Sequence, residues 1–292
     1  MVREYFRLLR VKHYIKNILL FVPLFFAGKF FSLDVWVPTL MGFISFSLMA
    51  SFVYIVNDII DVEKDRRHPV KCNRPIASGK IPVTHAIMAA FILAVSAWVI
   101  LYENFNSIFS KAHVYLLVYT LMNILYSIWL KNIPIVDVMA LASGFLIRIL
   151  YGAALSDIWV SKWLYLTVLV FSLYLGLGKR KKEIEKCKEQ ETRQVLQYYT
   201  KDYLEKIMLM CMSVGVVFYS LWSANITESA NISENMIWTV PVILAIVMRY
   251  EMLIERADSF GDPVEVLYSD KILVSITVVY GIFCIALLYG NF

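Results

Sequence analysis

The feature that most narrows what this chain can become is the repetition of long apolar runs. Nine stretches read as continuously hydrophobic: roughly residues 17–32, 36–57, 83–102, 112–130, 134–155, 162–178, 206–223, 236–250 and 271–290. A bilayer core about 30 Å thick asks for some 20 predominantly apolar residues per helix. A soluble protein of this length has no use for so many, and its apolar share would sit nearer 45–50% than the 60% found over these 292 residues. The runs do not alternate at period two, so they predict an all-α integral membrane protein rather than a barrel. The first run, broken by proline and lysine in VPLFFAGKFF, is the weakest, which leaves the count at nine or eight. It lacks a small-residue cleavage site and is not a signal peptide. We see no internal repeat and no linker, so residues 1–292 read as one polytopic domain.

Charge sorts the loops. Of the 28 Lys and Arg residues, 24 fall in the N-terminal tail and even-numbered loops, three (Lys29, Lys111, Lys162) in odd-numbered loops, and Arg148 lies inside a run. The positive-inside rule then places the N-terminus and the even loops in the cytoplasm and, with nine spans, the C-terminus outside. The net charge of +5 follows from that asymmetry and calls for no nucleic acid. Four scattered cysteines (Cys72, Cys187, Cys211, Cys284) form no CxxC pair, so neither a disulfide framework nor a zinc site is expected. The sequons at Asn225 and Asn231 are short and uninformative.

The second run ends in NDIIDVEKD, residues 57–65, followed by RRHPVKCNRPIASGK. If the helix continues through residue 65, then Tyr54, Asn57, Asp58, Asp61 and Asp65 fall within one arc at about 100° per residue. Carboxylates stacked this way repel one another, and a cation must offset the cost. One reading is a solvated acidic helix end paired to Lys64, Arg66 or Arg67. The favoured one is a divalent site: Mg²⁺ takes one or two carboxylates and fills its shell with water and substrate phosphate. Asn57, Asp58, Asp61 and Asp65 are the predicted metal ligands, with Asp58 and Asp61 central to catalysis. Arg67, Lys71 and Arg74 are candidate phosphate contacts. His68, beside Pro69, reads as a surface or phosphate-facing residue, and the segment around Gly79 as a turn.

The NDxxDxxxD pattern at this place resembles the UbiA-type superfamily of intramembrane prenyltransferases, which are nine-helix bundles with a cytoplasmic-side cavity. Further segments narrow the likeness to the phosphoribosyltransferase branch: LLRVKHYIKNILLFVPLFFAG, LYSIWLKNIPIVDVMALASGFLIRILYGAA, LGLGKRKKEI and GDPVEVLYSDKIL, in order over most of the chain. The resemblance implies Mg²⁺-dependent transfer of 5-phosphoribosyl from phosphoribosyl diphosphate to a polyprenyl phosphate in the cell membrane, toward cell-envelope lipid. It also implies that Lys16, with Asn17 beside it, serves the phosphate site and catalysis; otherwise Lys16 snorkels to the interface. Ordinary members carry a second aspartate-rich motif after the sixth helix. Here GLGKRKKEIEKCKEQE stands there, cationic at Lys179, Arg180, Lys181 and Lys182. That suits a reaction with three anionic groups; Lys179 and Arg180 join the substrate-binding set, while Lys186 and Lys188 read as topology signal. Tyr54 is either an interfacial aromatic or a donor to substrate. Tyr126 and Lys131 border the next cytoplasmic loop and are counted with the site. Asp137 and Arg148, eleven residues apart, point the same way along the fifth run and are counted with the substrate-binding set, though not as catalytic; the other reading is a structural ion pair. Arg148 should face a polar cavity or a carboxylate, since a buried Arg costs about 2.5–3.5 kcal/mol on insertion scales. Asp258, Asp262, Asp270, Phe260 and Tyr268 receive no role. Two other functions compete: prenyl transfer to an aromatic or glycerol-phosphate acceptor, which should show the missing acidic motif, and transport, which more often shows matched repeats. Homo-oligomer formation is left open.

Overall fold

Apolar runs without charge can satisfy their backbone only internally, and helices result. The computed structural model describes residues 2–105, 107, 109–186, 194–224, 234–255, 266–267 and 269–290, and among them every regular element is helical. In chain order these are α1 (Val2–Leu9), a 3₁₀ run (Val11–Phe21), α2 (Val22–Phe26), α3 (Leu33–Ile60), α4 (Val62–Arg67), α5 (Val83–Phe105), α6 (Lys111–Ile128) and α7 (Val136–Leu155). They continue with α8 (Lys162–Lys186), α9 (Lys201–Ala224), α10 (Val240–Glu255) and α11 (Lys271–Tyr289), with short 3₁₀ turns between some of them. Six helices among the described residues are long and apolar enough to cross a membrane: α3, α5, α7, α9, Asn235–Glu255 and α11. Large apolar side chains face outward on α5 (Met88, Phe91, Ile92) and α11 (Val278, Val279, Ile282), as lipid contact requires and water would not tolerate. The expectations placed on Cys187, Lys188, Asn225, Asn231, Asp258, Phe260, Asp262, Tyr268 and the Lys186 side chain fall outside what is described.

The first apolar run differs from expectation. Instead of one helix over 17–32 the chain makes a 3₁₀ run and then the short α2, with Pro23 in its first turn. The 3₁₀ helix repeats every three residues, which keeps Tyr14, Asn17 and Leu20 on one face. Tyr14 bonds to Ser51, Asn17 bonds to Ser47, and Leu20 is fully buried. These partners reward the tighter winding over 11 residues.

The chain divides into two compact units. The first comprises Met1–Phe25, Lys29–Lys131 and Ile147–Trp159; the second comprises Phe26–Gly28, Asn132–Leu146 and Val160–Phe292. In the first unit α3 packs along α5 and also meets α6 and the 3₁₀ run. Small residues set the close approaches: a β-carbon on Gly152 would lie 2.0 Å from the Leu20 carbonyl oxygen, and one on Gly42 2.2 Å from Leu155. Hydrogen bonds cross between helices where backbones come near, Ser45 Oγ to the Ala97 carbonyl (2.7 Å) and Tyr151 OH to the Gly42 carbonyl (3.2 Å). At its charged end a second cluster of Leu8, Ile55, Ile76, Ile81 and Ala86 pins the loop after α4. The second unit packs α8 against α9 and gathers α10 and α11 beside them. The Phe171 ring lies against Gly215, and a buried polar node joins Tyr219 OH to Thr239 (2.5 Å) and Tyr280 (3.0 Å).

Candidate functional site

Ser47, Ser51, Tyr54 and Asp58 recur along α3 at steps of four, three and four, so one polar stripe runs up the helix. The N-terminal segment lies on it. Tyr14 OH and Ser51 Oγ are 2.7 Å apart, Ser51 donates to the Leu9 carbonyl (2.7 Å), and the His13 ring meets Tyr54 edge-on at 5.4 Å. Between α1 and the 3₁₀ run stands Arg10, at φ 51° and ψ 44°. The left-handed region costs a residue with a β-carbon about 1–2 kcal/mol. Its side chain offsets that cost: one guanidinium nitrogen donates to Asp58 at 2.5 Å, and the group lies 4.9 Å over the Tyr54 ring.

The aspartates stand where α3 gives way to α4. The single helix expected through residue 65 is interrupted at Asp61 (φ −92°, ψ 6°). The i→i+4 bonds from Asp61 N to Asn57 O and from Asp65 N to Asp61 O persist, so the carboxylates keep to one side. Each has a cation. Asp58, 3% exposed, takes Arg10 and Arg74 (3.0 Å); Asp65 takes Arg74 at 2.6 Å; Asp61 takes Lys131 at 2.8 Å. Arg66, one of the expected partners, pairs with Glu63 instead. Arg74 is delivered by a loop that Gly79 turns at φ +73° and that Ile76 and Ile81 anchor in the apolar cluster. Arg7 donates to the Asn73 carbonyl in the same loop, while His68 Nδ1 accepts the amides of Val70 and Lys71. Among the described residues no three acidic, histidine or cysteine side chains converge as a metal cage. Among the described residues these three carboxylates face three cations.

Deeper along the stripe, Arg148 is buried at 6% exposure. It donates to Asn17 Oδ1 (2.9 Å) and Tyr119 OH (3.3 Å), and its guanidinium lies 5.1 Å from the Phe46 and Tyr119 ring centres; Asn17 in turn donates to Ser47 (3.0 Å). The polar surroundings expected for Arg148 are therefore largely amide, hydroxyl and aromatic faces. Lys16, Asn57, Lys71 and Tyr126 are half-buried in the same unit, and Arg67 is exposed.

In the second unit Asp137 and Arg180 hold one another. Arg180 Nε meets Asp137 Oδ2 at 2.7 Å with both side chains fully buried, and a second guanidinium nitrogen meets Glu183 at 2.6 Å. Tyr199 OH donates to Asp137 Oδ1 (2.6 Å) and accepts from the Ile135 amide; burial and that carboxylate raise its pKa above the usual phenol value. Lys181 bonds to Glu205 (3.0 Å) and to Glu255. Lys182 pairs with Glu185 at 2.6 Å, Lys179 is half-buried beside them, and Arg249 caps Asp270 at 2.7 Å.

The residue that sequence reasoning passed over is Arg10. As one of the basic residues of the N-terminal tail it reads as a topology charge, although it opens the RVKHYIKN segment that ends in Lys16 and Asn17. Its φ and its reach to Asp58, 48 residues away, leave no mark on composition.

Long apolar helices, with a row of carboxylates matched to cations and two of the three carboxylates buried, are the build of a multi-pass membrane protein. The chain belongs to the UbiA prenyltransferase family, whose sequence profile matches residues 18–225. It is 31% identical over 278 residues to a decaprenyl-phosphate phosphoribosyltransferase of Mycolicibacterium smegmatis, covering 90% of this chain and 86% of that one. A decaprenyl-phosphate phosphoribosyltransferase of Corynebacterium glutamicum is 32% identical over 287 residues, covering 96% and 84%. In fold the chain is similar to a UbiA homologue of Archaeoglobus fulgidus bound to GPP and Mg²⁺, with TM-score 0.72, 18% identity and coverage of 97% and 99%.

Proposed function

We propose that this transferase moves 5-phosphoribosyl from phosphoribosyl diphosphate to a polyprenyl phosphate, releasing diphosphate. The observation that carries the reading is the likeness to phosphoribosyltransferases over nearly the whole of both chains. The site in the first unit supplies suitable chemistry. Breaking the ribose C1–O bond gathers negative charge on the leaving diphosphate, and a phosphate oxygen of the lipid takes its place at C1. The nucleophile is already anionic, so no strong base is needed, and catalysis consists of positioning and charge stabilisation. Arg10, Arg74, Lys131 and Lys16 would orient the phosphates.

Asn57, Asp58, Asp61 and Asp65 offer hard oxygen donors but no closed cage. That suits Mg²⁺ held by one or two carboxylates, with donor phosphate oxygens completing the shell. Bound there, the ion would neutralise the diphosphate. The topology we propose has nine crossings, the further three being the Val11–Phe26 stretch, α6 and α8. It places the N-terminus and the aspartates on the cytoplasmic side of the cell membrane, opening to a cavity, with the C-terminus outside.

A second reading is prenyl transfer from a prenyl diphosphate, favoured by solved relatives of the same fold that are bound to GPP or DMAPP with Mg²⁺. Against it stands the basic segment Lys179–Lys182 in place of acidic residues. The test is direct. Purified protein receives Mg²⁺ with labelled phosphoribosyl diphosphate and a polyprenyl phosphate, or with labelled prenyl diphosphate and an aromatic acid. Label in the lipid extract of the first set is expected; prenylated acid in the second set alone overturns the proposal. Asp61→Ala should abolish Mg²⁺-dependent donor binding with thermal stability retained, and unchanged donor affinity would remove Asp61 from the site.

A further inference from the structure

Three cations face the aspartates, and they come from different places: Arg10 from the junction of α1 and the 3₁₀ run, Arg74 from the loop after α4, and Lys131 from the turn after α6. Arg10 is the one whose backbone is held in the left-handed region. Its guanidinium is fixed on one edge by Asp58 and on one face by Tyr54, while a fifth of its side chain stays open to solvent. Asp58 is almost wholly buried and cannot stand without a counter-charge.

We propose that Arg10 is a donor-binding residue that exchanges partners: it neutralises Asp58 while the site is empty and passes to the donor diphosphate when a metal–diphosphate complex takes that carboxylate. The inference rests on the donor site argued under Proposed function. The exchange follows from charge. A divalent ion on Asp58 supplies the positive charge that Arg10 had supplied, and the two cations then repel. The guanidinium fork fits a diphosphate better than a lone carboxylate oxygen, since it can donate two parallel bonds. The Tyr54 face holds its plane during the change. Metal arriving alone must displace Arg10 and leave it with no anion. Metal arriving with the diphosphate gives it a new one. Metal and donor therefore bind with positive coupling, which by linkage works equally in both directions.

Arg10 thus weakens the binding of metal by itself and strengthens that of donor, so its removal has effects of opposite sign. The full chain in nanodiscs, wild type and Arg10→Gln, is titrated with Mn²⁺ alone by the loss of the free-ion EPR signal. Labelled phosphoribosyl diphosphate is titrated in excess Mg²⁺ by equilibrium dialysis. The variant should bind Mn²⁺ about tenfold more tightly and the donor about tenfold more weakly, the worth of one charged hydrogen bond in each case. If both affinities fall together, Arg10 merely supports the fold; if donor affinity is unchanged, it does not touch the diphosphate. Either result overturns the proposal. Arg10→Lys keeps the charge without the fork and supplies the reading should Arg10→Gln not fold. It should lose donor affinity several-fold with Mn²⁺ affinity little changed, and full donor affinity would refute the exchange. Wild-type protein that fails to bind the donor at all would instead sink the underlying site assignment.

Discussion

Replacing Arg180 by methionine keeps a long flexible stem in the second unit and removes only the guanidinium. Asp137 would then be left buried with the single hydrogen bond from Tyr199, where it now has two partners at 2.7 and 2.6 Å. Stripping one member from a buried pair costs about 3–5 kcal/mol, because the other charge stays behind without compensation. Asp137→Asn should cost less, about 2–3 kcal/mol: Arg180 keeps Glu183 at 2.6 Å, and the amide oxygen still accepts from Tyr199. In the double variant no orphaned charge remains, since Glu183 is partly exposed and can hydrate. Its cost should fall short of the sum of the single costs by about 2 kcal/mol. Thermal unfolding in detergent followed by circular dichroism gives the readout, with a drop of roughly 10 °C expected for Arg180→Met. Donor binding measured well below these transitions should stay within about threefold of wild type. Unchanged thermal stability with donor binding lost would refute the scaffold role and return Arg180 to the substrate, as its position in the basic segment first suggested.

Other outcomes follow from the same geometry. Lys131→Met should weaken donor binding by about tenfold without lowering thermal stability by more than a few degrees, because Asp61 is partly exposed and can hydrate; equilibrium dialysis and a melting curve check both halves. Gly152→Ala should destabilise by about 1–3 kcal/mol, since its new β-carbon meets the Leu20 backbone rather than a movable side chain. Gly79→Ala, strained only in φ with open space around it, should cost about 1 kcal/mol, and melting curves of the pair rank the two effects. Treatment with EDTA should abolish transfer and donor binding together, with Mg²⁺ restoring both in one titration.

Apolar length was the legible part of the fold. The runs that became α3, α5, α7, α9, α10 and α11 announce themselves because the bilayer core tolerates few charges along a helix, and Asp137 and Arg148 in α7 are buried. The 3₁₀ run was not legible, because its winding is chosen by Ser47, Ser51 and Arg148, which lie far along the chain. The aspartate row could be read from spacing alone, since i, i+3 and i+7 share a face even across the interruption at Asp61. Its counter-ions could not. Arg66 and Arg67 were nearer in sequence than Arg10, Arg74 and Lys131, but proximity in sequence does not select a partner once Ile76 and Ile81 fold the loop back. Asp137 and Arg180 were each nominated singly; that they are partners is a fact of packing over 43 residues.

The surroundings of Arg148 bear on how the protein is made. Asn17, Phe46 and Tyr119 all precede it in the chain, and synthesis runs from the N-terminus. By the time α7 leaves the ribosome, the amide, the phenol and the two rings that receive its guanidinium are already translated. These partners are thus present in the nascent chain when the cation is made, so its charge need not wait for later helices to find them.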